Sequence, residues 1–318
     1  MNKNFEQVLS IAEIVCKGNR FLMETVVKEV LHYDILLAIQ QSNLSKNLVF
    51  QGGTALRLCY RNIRYSEDLD FVRTAPLNAQ NFESFKDILT KSVQDRYELP
   101  VRISNPKKPL DERTSDQHVA VHRWTATVET GNAGGRNQKI NIEVADIPAY
   151  EVLPTIVQNP YQELQGNYPP IMLYVSSEAE ILADKITAVA GRPYFKARDI
   201  WDIKWLKDKQ VQLNPEWVIK KAADYHEITG DDLTPLLTKL HSKIKTLALP
   251  ETLQKFKDEM GRFLPKDQAD VWLDDKVAAG VLKDVGQYIL RQTNRIAEYA
   301  KNRTHGPQLR ESDLDRDI

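Results

Sequence analysis

Two acids and two glycines carry the chemistry that can be read directly from this chain. Gln51-Gly52-Gly53-Thr54-Ala55-Leu56 is followed by Arg64-Tyr65-Ser66-Glu67-Asp68-Leu69-Asp70-Phe71. The second stretch reads as a strand, so Asp68 and Asp70 share one face while Leu69 and Phe71 share the other. Neighbouring carboxylates repel unless a cation lies between them. A glycine pair opening a helix leaves backbone N–H groups free for an anion, and the Thr54 hydroxyl adds a ligand for β- and γ-phosphates. The combination implies a metal-bound nucleoside triphosphate. Two Mg²⁺ ions roughly 3.5–4 Å apart would be clamped by Asp68 and Asp70 for in-line attack on the α-phosphorus. Glu143, on the polar face of a later strand, is the natural third carboxylate.

Either stretch alone is a weak signal. Ser312-Asp313-Leu314-Asp315 repeats the same letters in a polar tail, without strand, glycine turn or apolar flank. The copy at residues 68–70 has all three.

These residues need a scaffold, and the composition allows one. The 318 residues suffice for two domains, or for one large core with an appendage. Hydrophobic content of 42% and charged content of 27% are ordinary for a globular protein. A net charge of −1 gives no global footprint for nucleic acid, so a polyanion must be met by a local patch. Cys16 and Cys59 form no CxxC pair and read as reduced core residues. No apolar run approaches the roughly 20 residues of a membrane span. The stretch MNKNFEQVLS lacks the apolar core of a signal peptide. The expectation is a cytoplasmic protein.

Leu22, Val26, Val27, Val30, Leu31, Ile35 and Leu36 recur at helical spacing and predict a helix over Arg20 to Gln41. A short strand at 47–50 feeds the glycine pair, and a helix is expected over Ala79 to Val93. His118 to Glu129 and Gln138 to Ala145 alternate in polarity around Gly131-Asn132-Ala133-Gly134-Gly135, which predicts a hairpin. Its second strand puts Asn141 and Glu143 on one face. After Pro169-Pro170 and a short strand, Ser177 and Glu180 form a capping box for a helix to about Gly191; a further helix spans about Lys196 to Lys207. The pattern beyond Asn214 is helical, interrupted by Pro235, Pro250 and Pro265, and the tail from Asn302 is polar enough to be disordered. This divides the chain into residues 1–210 with the chemistry, a helical C-terminal domain at 211–301, and a tail at 302–318.

Lys185 and Arg192 lie two helical turns apart on one face. Beside a triphosphate such a stripe offsets charge on the leaving pyrophosphate. Arg198 and Asp202 are spaced for an i,i+4 ion pair. Trp201 and Trp205 read as packing residues. Lys220, Lys221, Lys239, Lys243, Lys245, Lys255 and Lys257 read as a solvated face that could also track an RNA backbone.

The combination GGTALRLCY…RYSEDLDF with SSEAEILADKITAVAGR…KARDIWDI resembles the AbiEii/AbiGii-type nucleotidyltransferases, toxins of type IV toxin–antitoxin systems in the DNA polymerase β-like superfamily. The resemblance covers about residues 20–210. It implies an α+β fold: a polymerase β-like core, with a mixed sheet flanked by helices, and a helical C-terminal domain. By the same resemblance Ser66 and Asp68 match the S-x-D pair needed for activity, and Asp70 completes the metal-binding acids. Lys185 matches a phosphate-contacting residue, and Arg198-Asp199…Asp202 the terminal acidic motif. The resemblance thus implies Ser66, Asp68, Asp70, Lys185 and Asp202 as catalytic residues. Gly52, Gly53, Thr54, Lys185, Arg192 and Asp199 would bind nucleotide, and Asp68, Asp70 and Glu143 would bind Mg²⁺ or Mn²⁺. The third strand acid varies in the family, leaving Glu143, Asn141 and Asp146 open, and the roles of Asp199 and Asp202 are equally open. The implied reaction moves NMP from an NTP to an acceptor hydroxyl, a tRNA 3′ end in some members. A cognate antitoxin encoded nearby, without a stable complex, is also implied. Modification of a protein or small molecule, and a non-catalytic nucleotide-binding module, are the competing readings.

Overall fold

The computed structural model describes residues 3–16, 20–74, 79–105, 119–130, 137–161, 164, 166 and 168–305. The predicted loop at 131–135, His118 and the duplicate motif at 312–315 lie outside them. Two helices, α1 (Lys3–Cys16) and α2 (Arg20–Gln41), lead into β1 (Leu48–Gln51), α3 (Gly52–Leu58) and β2 (Leu69–Arg73). Next come α4 (Ala79–Tyr97), β3 (Val101–Ser104), β4 (Val121–Val128), β5 (Gln138–Ala145), β6 (Val152–Ile156) and β7 (Met172–Ser176). The rest is helical: α5 (Glu178–Gly191), α6 (Ala197–Asp208), α7 (Pro215–Asp224), α8 (Thr234–Thr246), α9 (Pro250–Met260), α10 (Lys266–Trp272) and α11 (Asp275–His305).

The strands form one mixed sheet in the order β3-β4-β5-β2-β1-β7-β6. β2 lies parallel to β5 and antiparallel to β1, and β1 is parallel to β7. This is the expected mixed sheet flanked by helices. β4 and β5 pair antiparallel from Val128 opposite Gln138 onward, as the hairpin pattern predicts. β3 and β6, at the two edges, are too short to be seen in sequence, and β6 also lacks alternation.

Register sets the chemistry. Gln51 lies opposite Asp70, Asp70 opposite Glu143, and Glu143 opposite Arg123, so four polar side chains cross four strands in one row. Two residues along, the same face carries the apolar cluster of Val49, Val72 and Ala145. The other face turns Phe50, Phe71, Ile142, Val144 and Trp124 into the main core, with Phe50 and Phe71 rings 5.1 Å apart. A one-residue slip of β2 would bury the acids and expose Phe71.

α2 is buried on nearly every side and packs across the sheet's core face. Pro215, Pro235 and Pro250 sit in first turns, where a missing N–H costs nothing; they start α7, α8 and α9 rather than break them. α7 and α8 pack on α5, and α9 packs on α6, sharing the large apolar core with the sheet. α11 continues through His305, past the start of the predicted tail. Cys16 and Cys59 are free and buried. Among the described residues no helix is long and apolar enough to cross a membrane.

Candidate active site

The polar row of the sheet forms one side of a cavity of about 670 Å³, to which Gly52, Gly53, Ser66 and Asp68 also contribute. α5, α6 and their connection supply Asp184, Lys185, Arg192, Lys196, Arg198 and Asp199. Tyr225 and Glu227, just beyond α7, line it too.

The glycines are explained by what approaches them. Gly52 has φ of +76°, and a Cβ there would lie 2.5 Å from Asp70 Oδ2. A Cβ on Gly53 would overlap the Arg64 guanidinium. Both positions therefore admit only hydrogen. Thr54 departs from its expected role. It is fully buried, does not line the cavity, and its hydroxyl donates to the Asp68 carbonyl. It fixes the backbone of the acid motif instead of facing a phosphate.

Asp68 and Asp70 both line the cavity, and the third-acid alternatives separate cleanly. Glu143 faces the cavity beside Asp70. Asn141 donates to Asp68 Oδ1 at 3.0 Å, which orients that carboxylate. Asp146 is paired with Arg73 and lies outside the cavity lining. Burial first, and then the Glu143 and Asp68 carboxylates, push Asp70 up to about 6. Among the described residues, no three acidic, histidine or cysteine side chains stand gathered at metal-ligating distance. Glu143 is instead held by Arg123 at 2.7 Å. The donor chemistry nevertheless fits a hard divalent cation: three carboxylates on one wall, with no cation in contact with Asp70 among the described residues.

On the α5–α6 side, Lys185 Nζ bridges Asp199 Oδ1 and Asp202 Oδ2, each at 2.8 Å, and Arg192 also pairs with Asp199. The cationic stripe thus faces the cavity as expected, with Asp199 among it. Burial draws Lys185 below the usual lysine range against the pull of Asp202. Asp202 itself does not reach the cavity. It is fully buried and receives Arg64 Nε and Nη2 at 2.6 Å each, and Asn62 Nδ2 at 3.0 Å. Burial opposes its charge, but Arg64 and then Lys185 bring it down to about 2. Its geometry is that of a positioning residue, which corrects the catalytic role expected for it. Arg198 does not pair with Asp202; it bonds Glu259 Oε1 at 3.2 Å and stacks on Phe263. Trp201 is buried and meets Trp272 edge-on, as a packing residue should. Lys221 is no solvated cation: it is fully buried between Glu180 at 2.7 Å and Asp184 at 3.4 Å.

Sequence reading missed Arg64, although it lies inside the motif, because its partner is 138 residues away. It also missed α2. There His32 Nε2 lies 3.1 Å from the Glu67 carbonyl, while Lys28 holds the Glu67 carboxylate at 3.1 Å. The loop bearing Ser66 and Asp68 is therefore held from below by a helix whose spacing announced only a core face. Lys196, on the cavity wall, was missed as well.

Residues 34–275 match the family model described as nucleotidyl transferase AbiEii toxin, type IV TA system. Among solved structures, JHP933 from Helicobacter pylori is 17% identical, with 88% of this chain and 97% of that one covered and a TM-score of 0.48. MenT4, a nucleotidyltransferase toxin from Mycobacterium tuberculosis, is 16% identical over 92% of this chain and 96% of that one, with a TM-score of 0.47. No curated protein matches the chain.

Proposed function

The chain belongs to the AbiEii nucleotidyltransferase toxin family of type IV toxin–antitoxin systems, and from that premise we propose that it transfers a nucleoside monophosphate from an NTP to an acceptor hydroxyl, releasing pyrophosphate. One observation carries the reading: Asp68, Asp70 and Glu143 line a single cavity together with Lys185 and Arg192. Anion-repelling and anion-attracting groups in one cavity suit a metal–triphosphate, whose two ends differ in the same sense.

Asp68, Asp70 and Glu143 would hold Mg²⁺ or Mn²⁺, which supplies a clamp on attacking and leaving oxygens when bound. The chain's own groups do the rest. Gly52 and Gly53 let Asp70 and Arg64 stand directly against the start of α3, so that backbone N–H groups and these two side chains share that wall. The acceptor oxygen bonds to the α-phosphorus as the bond to the bridging oxygen of the β-phosphate breaks, and its proton passes to the Asp70 carboxylate, which burial and its neighbours make the more ready acceptor. Lys185 and Arg192 balance the charge appearing on pyrophosphate. Asp199 now occupies both cations, so the nucleotide must share or displace it.

The acceptor is proposed to be RNA, a tRNA 3′ end in the first instance. A cognate antitoxin fits the family and is proposed to act without a stable complex, in the cytoplasm. The test is to incubate the protein with labelled NTPs, Mg²⁺ and total tRNA beside Asp68→Ala. Label in RNA with the wild type alone is expected. A labelled band at protein mass would move the acceptor to protein, and equal labelling by both proteins would overturn the site.

A further inference from the structure

We propose that Lys196 is a triphosphate-binding residue whose ammonium group meets the β- and γ-phosphates and stays with the departing pyrophosphate. The inference rests on the nucleotidyl-transfer reading for its ligand, but on separate observations for its residue. Six cationic side chains line the cavity, and five already sit on carboxylates: Arg64 on Asp202, Arg123 on Glu143, Lys185 and Arg192 on Asp199, and Arg198 on Glu259. The Lys196 ammonium group has no hydrogen-bond or ion-pair partner among the described residues; only its backbone carbonyl is engaged, accepting from the Asp199 N–H. It also lines a second, smaller pocket between the α5–α6 connection and α8, together with Arg192, Tyr194 and Lys243. Its ammonium group is therefore the cation left for a ligand.

The backbone beneath it is fixed. Lys196 stands at the N-terminal cap of α6, and the next N–H, on Ala197, donates to Glu259 Oε2 at 2.8 Å. A rigid stem with an unpartnered head is how a binding group is presented. The electrostatics agree. Burial, then Arg192, Arg198 and Lys185, push Lys196 down to about 7, and Asp70 across the cavity is the acid that pulls the other way. Asp199 lines the same two pockets but is already held by Lys185 and Arg192, and Lys243 from α8 adds no negative charge. A lysine so placed has lost a large part of its charge at neutral pH and regains it when an anion arrives. Anion binding at this wall should take up a proton, which contacts made by Arg192 alone cannot do.

The experiment is calorimetry of the full chain with magnesium pyrophosphate at pH 7.5, in two buffers of different ionisation enthalpy, for wild type, Lys196→Met and Lys196→Arg. Wild type should bind with proton uptake. Lys196→Met should bind about tenfold more weakly, or worse, without uptake. Lys196→Arg should retain affinity within a few fold, also without uptake. Unliganded Lys196→Met should melt no lower than wild type, because it relieves a crowded, desolvated cation; this separates the variant from one that fails to fold. Wild-type affinity in Lys196→Met, proton uptake in either variant equal to that of the wild type, or no pyrophosphate binding by the wild type would each overturn the proposal. RNA labelling is read separately, so proton-linked binding without labelling would contradict the transfer reading and leave Lys196 standing.

Discussion

Asp202 and Asp70 stand on either side of the Arg64 and Gly53 contact and are set in opposite ways. Asp202 receives two bonds from Arg64, one from Lys185 and one from Asn62, and its carboxyl is held at about 2. Asp70 has Gln51 on one side, Glu143 on the other and Asp68 two residues before it, and its carboxyl is pushed to about 6. A carboxylate whose lone pairs are met by donors of the same chain is finished at folding. One set among other carboxylates has its charge left for something that arrives later. Residue type does not separate the two; their partners do.

The largest effect that could break this comparison is on stability. Asp202→Ala should cost about 3–5 kcal/mol in urea denaturation, because it strands Arg64 as a buried charge. The sign with pH follows from the folded value lying below the free value of 3.8. The Asp202 contribution is complete above about pH 4, at about 2 kcal/mol, and is lost as pH falls towards 2. Asp202→Asn should flatten that acid limb of the stability profile; an unchanged limb would mean the pair is not formed.

Gly53→Ala is next, at about 1–3 kcal/mol, since the added methyl meets a guanidinium that Asp202 holds in place and cannot swing away. If Gly53→Ala costs nothing in wild type, Arg64 is not clamped. A smaller effect, about 1 kcal/mol, is expected for His32→Phe, which removes the contact to the Glu67 carbonyl. That variant sharpens the Asp70 side of the comparison: it should lower kcat several-fold with KM unchanged if α2 sets the position of Asp68.

Much of this was legible from spacing. The glycine pair, the alternation around Asp68 and Asp70, the hairpin bearing Glu143 and the Lys185–Arg192 face are all short-range patterns, and each lines the cavity where expected. The failures share one cause. The resemblance implies Asp202 as a site acid, and i,i+4 spacing pairs it with Arg198. The sequence does not reveal that Arg64, from the loop before β2, reaches Asp202 first. Thr54 likewise looks like a phosphate ligand until the Asp68 carbonyl is brought against it. Lys196 could not be recognised because its meaning is a missing partner, which only the assembled cavity displays. The edge strands β3 and β6 are only four and five residues long, and they position none of these groups.

The most direct measurement of the central claim pairs two readouts on Asp70→Asn: transfer of labelled NMP to RNA in Mg²⁺, and thermal melting of the same preparation. The substitution removes a charge that Glu143 and Asp68 already disfavour. The account predicts loss of transfer by about a thousandfold or more, with a melting temperature equal to or above that of the wild type. Retained transfer, or loss of transfer that merely accompanies unfolding, would contradict it.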